Sequence, residues 1–239
     1  MLTRISEIFR NILLWIYILT TVPIFSLMAI ITKKHILARL WCQGLLKILG
    51  IKIIVKGGEL PPKGRNYVFM CNHQSQLDIP VLETLLKDYE IRFLAKKSLF
   101  DIPFFGWGIK ALGYIPVERE DPKEGLKSLL ACIEKLKEGI SLVIFPEGTR
   151  SKEGELLPFK RAGFLIPIKA GVDLCPVVLW GTLKILPKGA LWFRLKEREV
   201  KIFLGPVISI KDYTTGDKNL LAERVRAHME EGLKRLKTN

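Results

Sequence analysis

The sequence predicts an α/β domain that carries a hydrophobic helical N-terminus. Three observations lead there. Beyond residue 50, short apolar runs alternate with stretches of helical periodicity. One of those stretches is bracketed by start and stop signals. Residues 11–32 contain no charged side chain and are dominated by Ile, Leu, Trp, Phe and Val.

The N-terminal run, taken as a helix rising ~1.5 Å per residue, would reach about 33 Å, close to the hydrocarbon thickness of a bilayer. A cleaved signal peptide has a shorter apolar region followed by a small-x-small site, and Leu27-Met28-Ala29-Ile30-Ile31 offers none. Pro23 interrupts the run, and basic residues flank both ends, so positive charge selects no orientation. After Lys33-Lys34, residues 36–48 are apolar but carry Arg39 and Lys47, too short and too charged to span. A full span and a two-helix hairpin dipping into one leaflet both stay open, and membrane association is common to them. His35, between the two helices, is expected at the interface.

Strands are expected over 51–55, 67–71, 91–95, 114–117, 140–145, 174–180 and 200–204. The clearest helix runs over 122–137: Asp121 is its N-cap, Pro122 suits the first turn, Glu124 completes a capping box and Gly139 follows the end. Its Leu126, Leu129, Leu130, Ile133 and Leu136 form one apolar stripe expected to face the core. A last helix over about 217–237 aligns Leu221, Val225, Met229 and Leu233, with His228 among its packing residues. With no repeat, linker or low-complexity segment, the expected units are 1–50, a membrane-associating helical hairpin, and 51–239, an α/β domain.

Lys and Arg total 38 against 24 Asp and Glu, a net charge of +14 spread along the chain. Such a balance favours an anionic partner: a membrane surface, nucleic acid, or a phosphorylated or acidic carrier. No recognition motif or aromatic-basic platform supports nucleic acid, and none is expected as partner. Cys42, Cys71, Cys132 and Cys175 are widely spaced without CxxC, so they read as reduced thiols rather than a disulfide framework or zinc site.

The chemistry-bearing stretch is Cys71-Asn72-His73-Gln74-Ser75-Gln76-Leu77-Asp78, between a strand and a helix. A histidine oriented by a carboxylate is a common general base. Five positions along a regular helix turn a side chain by about 500°, so His73 and Asp78 can meet only across a strand-to-helix turn. Asp78 before Ile79-Pro80 also reads as an N-cap, and both roles stay open. Cys71 and Ser75 flank the histidine as conceivable nucleophiles, though a strand cysteine is more often a packing residue. A metal site from His73, Asp78 and Glu147 has a single histidine to recommend it, and no metal is expected. Downstream, Phe145-Pro146-Glu147-Gly148-Thr149-Arg150-Ser151 follows a strand, as does Gly113 to Arg119; arginine grips phosphate or carboxylate with two parallel bonds.

Together these stretches resemble the glycerolipid acyltransferase family, specifically bacterial 1-acyl-sn-glycerol-3-phosphate acyltransferases. His73 with Asp78 matches its HxxxxD block, Gly113–Arg119 the second block with Glu118 where Asp is frequent, 145–151 the third, and Pro176-Val177-Val178 through Gly181-Thr182 and Leu186–Gly189 the fourth. Ala95-Lys96-Lys97-Ser98-Leu99 resembles a segment between the first two, so the likeness covers roughly 65–190. HxxxxD alone is weak; with FPEGTRS at this spacing it is specific.

The resemblance implies a single mixed-sheet acyltransferase domain flanked by helices, with the N-terminal hydrophobic two-helix motif as its membrane-binding part. It implies transfer of a fatty acyl group from acyl-carrier protein or acyl-CoA to the 2-hydroxyl of lysophosphatidic acid, without a cofactor, on the cytoplasmic face of the inner membrane. His73 would be the base and Asp78 its orienting partner. Arg119, with Lys96 or Lys97, would neutralise the acceptor's phosphate, while Glu147, Gly148, Thr149 and Arg150 shape the glycerol-phosphate site. Backbone amides near Gly148 are a first guess for the oxyanion donors. Glycerol-3-phosphate or another lysophospholipid remains an alternative acceptor, and a non-enzymatic basic membrane binder a distant alternative class.

Overall fold

The computed structural model describes residues 2–118 and 121–238. Seven strands form one sheet in the order β1-β7-β6-β2-β5-β3-β4. They are β1 (Lys52–Gly57), β2 (Val68–Cys71), β3 (Ile91–Lys96), β4 (Ile115–Val117), β5 (Ser141–Ile144), β6 (Leu174–Trp180) and β7 (Glu199–Leu204), each within a residue or two of the expected runs. Every pairing is parallel except β6 with β7, so the sheet is mixed. The helices are α1 (Leu2–Thr32), α2 (Ile36–Leu49), α3 (Asp78–Leu85), α4 (Phe105–Ala111), α5 (Pro122–Lys137), α6 (Leu165–Ala170), α7 (Thr182–Ile185) and α8 (Lys218–Thr238).

β2 lies at the centre, buried on both faces, which is why Val68-Phe69-Met70-Cys71 reads as an unbroken apolar run. Its alternate side chains feed two cores. Phe69 and Cys71 pack with Val143, Val177 and the α2 and α3 residues Leu45, Leu49 and Val81. Val68 and Met70 pack on the other face with Cys132 of α5, Ile166 of α6 and Val225 and Met229 of α8. The carboxyl ends of β2, β3, β4 and β5 therefore open at one edge, where α/β sheets hold their ligands.

α1 includes the charged residues before the apolar run, because its first turns are seated on the domain. Buried Asn11 donates to the Phe193 carbonyl (3.0 Å) and accepts from the Phe193 amide (2.8 Å). Arg10 Nη1 donates to the Ile48 carbonyl at 2.6 Å. Tyr17 donates to the Trp41 carbonyl at 2.8 Å and stacks on its ring. Near the far end α1 crosses α4 closely enough that a Cβ on Gly108 would lie 2.6 Å from Ser26 Oγ. Leu14 joins the core of Leu45, Leu49 and Phe69, while Phe9, Ile16, Leu19 and Ile31 point outward.

Four expectations are corrected. α5 begins on Asp121, whose carboxylate accepts from the Lys123 amide (2.8 Å), but Glu124 does not close a capping box. Its carboxylate bonds Lys97 (3.0 Å) and Lys127 (2.6 Å) instead. The α5 stripe is only half buried: Ile133 and Leu136 enter the core, while Leu126, at the edge of a cavity, and Leu130 stay 55% and 51% exposed. His35 is not interfacial. It is buried, 3.1 Å from Glu83 of α3, whose carboxylate also accepts from Tyr114 (2.6 Å), so a polar knot ties α2 to α3 and the start of β4. Asp78 is the first residue of α3 but caps nothing in that helix, for a reason found in its partners.

Candidate active site

The chain leaves β2 at Cys71 and turns through residues 72–77 before α3. Asn72 anchors the turn: its amide donates to the Leu179 carbonyl (3.0 Å) and its oxygen accepts from the Leu179 amide (2.7 Å). At the other end Asp78, fully buried, accepts at Oδ2 from the Gln74 amide (2.7 Å), the Ser75 amide (2.9 Å) and His73 Nδ1 (2.8 Å). The carboxylate points back into the loop rather than forward along α3, which is why it is no helix cap. With Nδ1–H donated to Asp78, the lone pair is left on Nε2, and His73 is among the residues that line a cavity. The imidazole lies flat on Phe145, ring centres 3.9 Å apart, so its rotation is restricted.

A second loop, after β5, is zipped to the first. Glu147 is buried, and both its oxygens go to backbone: Oε1 accepts from the His73 amide (2.7 Å) and Oε2 from the Leu157 amide (2.9 Å). Burial pushes its carboxyl up to about 7, with the two amides and Arg226 opposing and Asp78 adding to the rise. The Ser151 amide donates to the His73 carbonyl (2.8 Å) and Gln74 Nε2 to the Gly154 carbonyl (3.2 Å). Gly148 turns the loop at φ +68°, a backbone conformation that favours glycine, and a Cβ there would meet the Lys160 side chain at 2.9 Å and push it aside. Its amide donates to the Phe145 carbonyl (3.0 Å) within the turn, which removes it as an oxyanion donor.

His73 opens onto a cavity of about 1030 Å³, near the upper end for pre-formed ligand sites, which run to about 1,000 Å³. Its long wall is apolar and comes from α1, α2 and α4, with Phe25, Ala29, Trp41 and Ile109 among the lining residues. The rim beside His73 is basic. Lys96, Gly148, Thr149 and Arg150 line it; Lys97 does not, being held by Glu124, and Glu147 stands behind the rim on the backbone. Arg119 lies outside the described residues. Lys188 of the fourth block also lines the rim, and one rim residue escaped the sequence reading, Lys160, because nothing local says which of Lys160 and Arg161 turns inward. Lys188 Nζ donates to Thr149 Oγ1 (3.0 Å) and the Arg150 carbonyl (3.4 Å).

Neither alternative nucleophile is presented for attack. Ser75 is fully buried and donates to the Leu186 carbonyl at 2.7 Å. Cys71 is buried on β2, and burial holds its thiol well above the ordinary range. The described residues contain no group of three or more His, Cys, Asp or Glu able to hold a metal.

Comparison with known proteins follows the same lines. Residues 52–180 match the Acyltransferase family model. A chloroplastic 1-acyl-sn-glycerol-3-phosphate acyltransferase of Brassica napus is 41% identical over 158 residues, 65% of this chain and 45% of that protein. The 1-acyl-sn-glycerol-3-phosphate acyltransferase of Borreliella burgdorferi is 31% identical over 192 residues, 80% of this chain and 76% of the relative. The chain spans about half the length of the plant relatives it matches. The crystal structure of the 1-acyl-sn-glycerophosphate acyltransferase PlsC from Thermotoga maritima superposes with a TM-score of 0.77 at 28% identity, covering 98% of both chains. By sequence model, relatives and mixed-sheet fold, this chain belongs to the Acyltransferase family.

Proposed function

We propose that this protein transfers a fatty acyl group from a thioester to the sn-2 hydroxyl of lysophosphatidic acid, forming phosphatidic acid. The observation that carries the reading is a histidine fixed by a buried carboxylate, with its free nitrogen at the junction of an apolar cavity and a basic rim. The hydrophobic void suits an acyl chain and the cations suit a phosphate. The names of the relatives from Brassica napus and Borreliella burgdorferi agree with that acceptor.

In this scheme the acceptor hydroxyl gives its proton to His73 Nε2 as its oxygen attacks the thioester carbonyl. Asp78 stabilises the imidazolium that forms. The tetrahedral intermediate then expels the thiolate, which takes the proton back from His73, so no covalent enzyme intermediate is needed. Lys96, Arg150 and Arg119 neutralise the acceptor phosphate. The donor is acyl-carrier protein or acyl-CoA.

Residues 1–50 supply the membrane contact and 51–239 the chemistry. The outward face of α1, rich in Phe9, Ile16 and Leu19, enters one leaflet while Asn11, Tyr17 and Ser26 hold the opposite face to the domain. A helix seated along its length on a folded domain favours this attitude over a free span, although residues 5–32 are long and apolar enough to cross a bilayer. The basic chain meets anionic headgroups on the cytoplasmic face of the inner membrane.

The test is an acceptor screen with purified protein and an acyl thioester, comparing lysophosphatidic acid, glycerol-3-phosphate and lysophosphatidylcholine. Lysophosphatidic acid is expected to be the preferred acceptor, and His73→Ala to abolish transfer with folding intact. Preference for another acceptor overturns the substrate, and unchanged transfer by His73→Ala overturns the base.

A further inference from the structure

Basic residues around the cavity come in neighbouring pairs that part company. Lys97 is bound by Glu124, whereas Lys96 lines the cavity. Arg161 turns outward, donating to the Asn219 carbonyl (3.3 Å) with Glu223 at 3.8 Å, whereas Lys160 turns inward. Lys160 is fixed by its own backbone, whose amide donates to the Pro146 carbonyl at 2.7 Å. Its methylenes cross the open face of Gly148, and its Nζ sits 3.5 Å from where a Cβ on that glycine would be. Lys188 braces the loop, donating to Thr149 Oγ1 and the Arg150 carbonyl, and among the described residues the ion pairs of the neighbouring acids go to other cations, Glu124 to Lys97 and Lys127 and Glu223 to Arg161. The loop thus presents Arg150 and Lys160 to one cavity.

A phosphodiester carries one negative charge and has two free oxygens, which Arg150 and the other cations assigned to the phosphate can satisfy without Lys160. A terminal phosphomonoester carries close to two at neutral pH and has three free oxygens. We propose that Lys160 is a specificity-determining residue: it binds the second charge of the acceptor's terminal phosphate beside Arg150, and so selects phosphomonoester acceptors over lysophospholipids with an esterified headgroup. Gly148 serves the same purpose passively, since any side chain there would displace the lysine. This rests on the acyl-transfer reading above, and goes beyond it by assigning the discrimination between acceptors to one side chain.

The experiment compares Lys160→Met and Lys160→Arg with the full-length wild type, using one acyl thioester and two acceptors, lysophosphatidic acid and lysophosphatidylglycerol. Wild-type transfer to lysophosphatidic acid is measured first; its absence sinks the acyl-transfer reading, independently of Lys160. With that activity in hand, Lys160→Met should raise KM for lysophosphatidic acid about 10- to 100-fold, the loss expected of one charge-assisted hydrogen bond, with kcat much less affected. The KM for lysophosphatidylglycerol and for the thioester should stay within about threefold, and Lys160→Arg should restore most of the preference. Equal loss on both acceptors, a loss confined to the thioester KM, or no change would each overturn the proposal. Thermal melting of both variants reports folding, and a misfolded Lys160→Met leaves the decision to the acceptor ratio of Lys160→Gln.

Discussion

Replacing Asp78 by Asn keeps the size of the side chain and an oxygen able to accept the Gln74 and Ser75 amides, but removes the charge. In the resting state little changes, because neutral His73 can still donate Nδ1–H at about the observed 2.8 Å. The difference arises when His73 takes a proton. Two unit charges ~4 Å apart attract by about 4 kcal/mol at an effective dielectric of ~20. Losing that attraction from the transition state corresponds to roughly a 10³-fold fall in kcat. The readout is single-turnover transfer from an acyl thioester to lysophosphatidic acid, with KM for both substrates measured alongside. The melting temperature should drop by only a few degrees, since the acceptor oxygen is retained. If Asp78→Asn keeps kcat within tenfold of wild type while folded, the carboxylate does not stabilise an imidazolium, and the base assignment loses its support.

Other consequences are testable alongside it. Cys71→Ala and Ser75→Ala should retain most of the activity, with Ser75→Ala less stable by about 1 kcal/mol for its lost bond to Leu186; loss of turnover in a folded variant of either would revive a covalent intermediate. Glu147 has a folded carboxyl at about 7, raised chiefly by burial. The folded state therefore holds its proton more tightly than the unfolded chain, so this group's contribution to stability is largest below ~4.5, is lost as pH rises to about 7, and is level beyond. Denaturant unfolding of wild type and Glu147→Gln across pH 4–8 should show their stability difference changing in that window, and a constant difference would contradict it. Leu19→Asp, on the outward face of α1, should weaken sedimentation with anionic vesicles about tenfold or more without changing the melting temperature. Equal binding by the variant would place the membrane contact elsewhere.

The strands were readable because each is an apolar run ended by Gly, Pro or polar residues, and their boundaries depend on local chemistry. Their order was not readable. Nothing within Val68–Cys71 says that it pairs with both Ser141–Ile144 and Leu174–Trp180, and nothing in Glu199–Leu204 says that it runs antiparallel to its neighbour. The histidine and aspartate were legible as a pair able to meet only across a turn, yet local sequence favours a helix cap at Asp78. The loop amides of Gln74 and Ser75 decide otherwise, by drawing the carboxylate backward. Glu147 was legible as part of a motif, but its backbone partners are the His73 amide, 74 residues away, and the Leu157 amide, ten residues on, and no periodicity points to either. The partner that seats α1 is Phe193, 182 residues from Asn11, beyond the reach of any periodicity argument.

That seating has a consequence for how the protein can be divided. α1, α2 and α4 build the apolar wall of the cavity, and α1 leans on α4 through the bare backbone of Gly108. A chain trimmed at residue 50 to improve solubility would therefore lose more than an anchor. It would expose a hydrocarbon-lined trough to water and lack one side of the cavity proposed to take the acyl chain. Solubility and turnover are opposed in this architecture, and detergents that pry α1 from its seat should inactivate the protein before they unfold it.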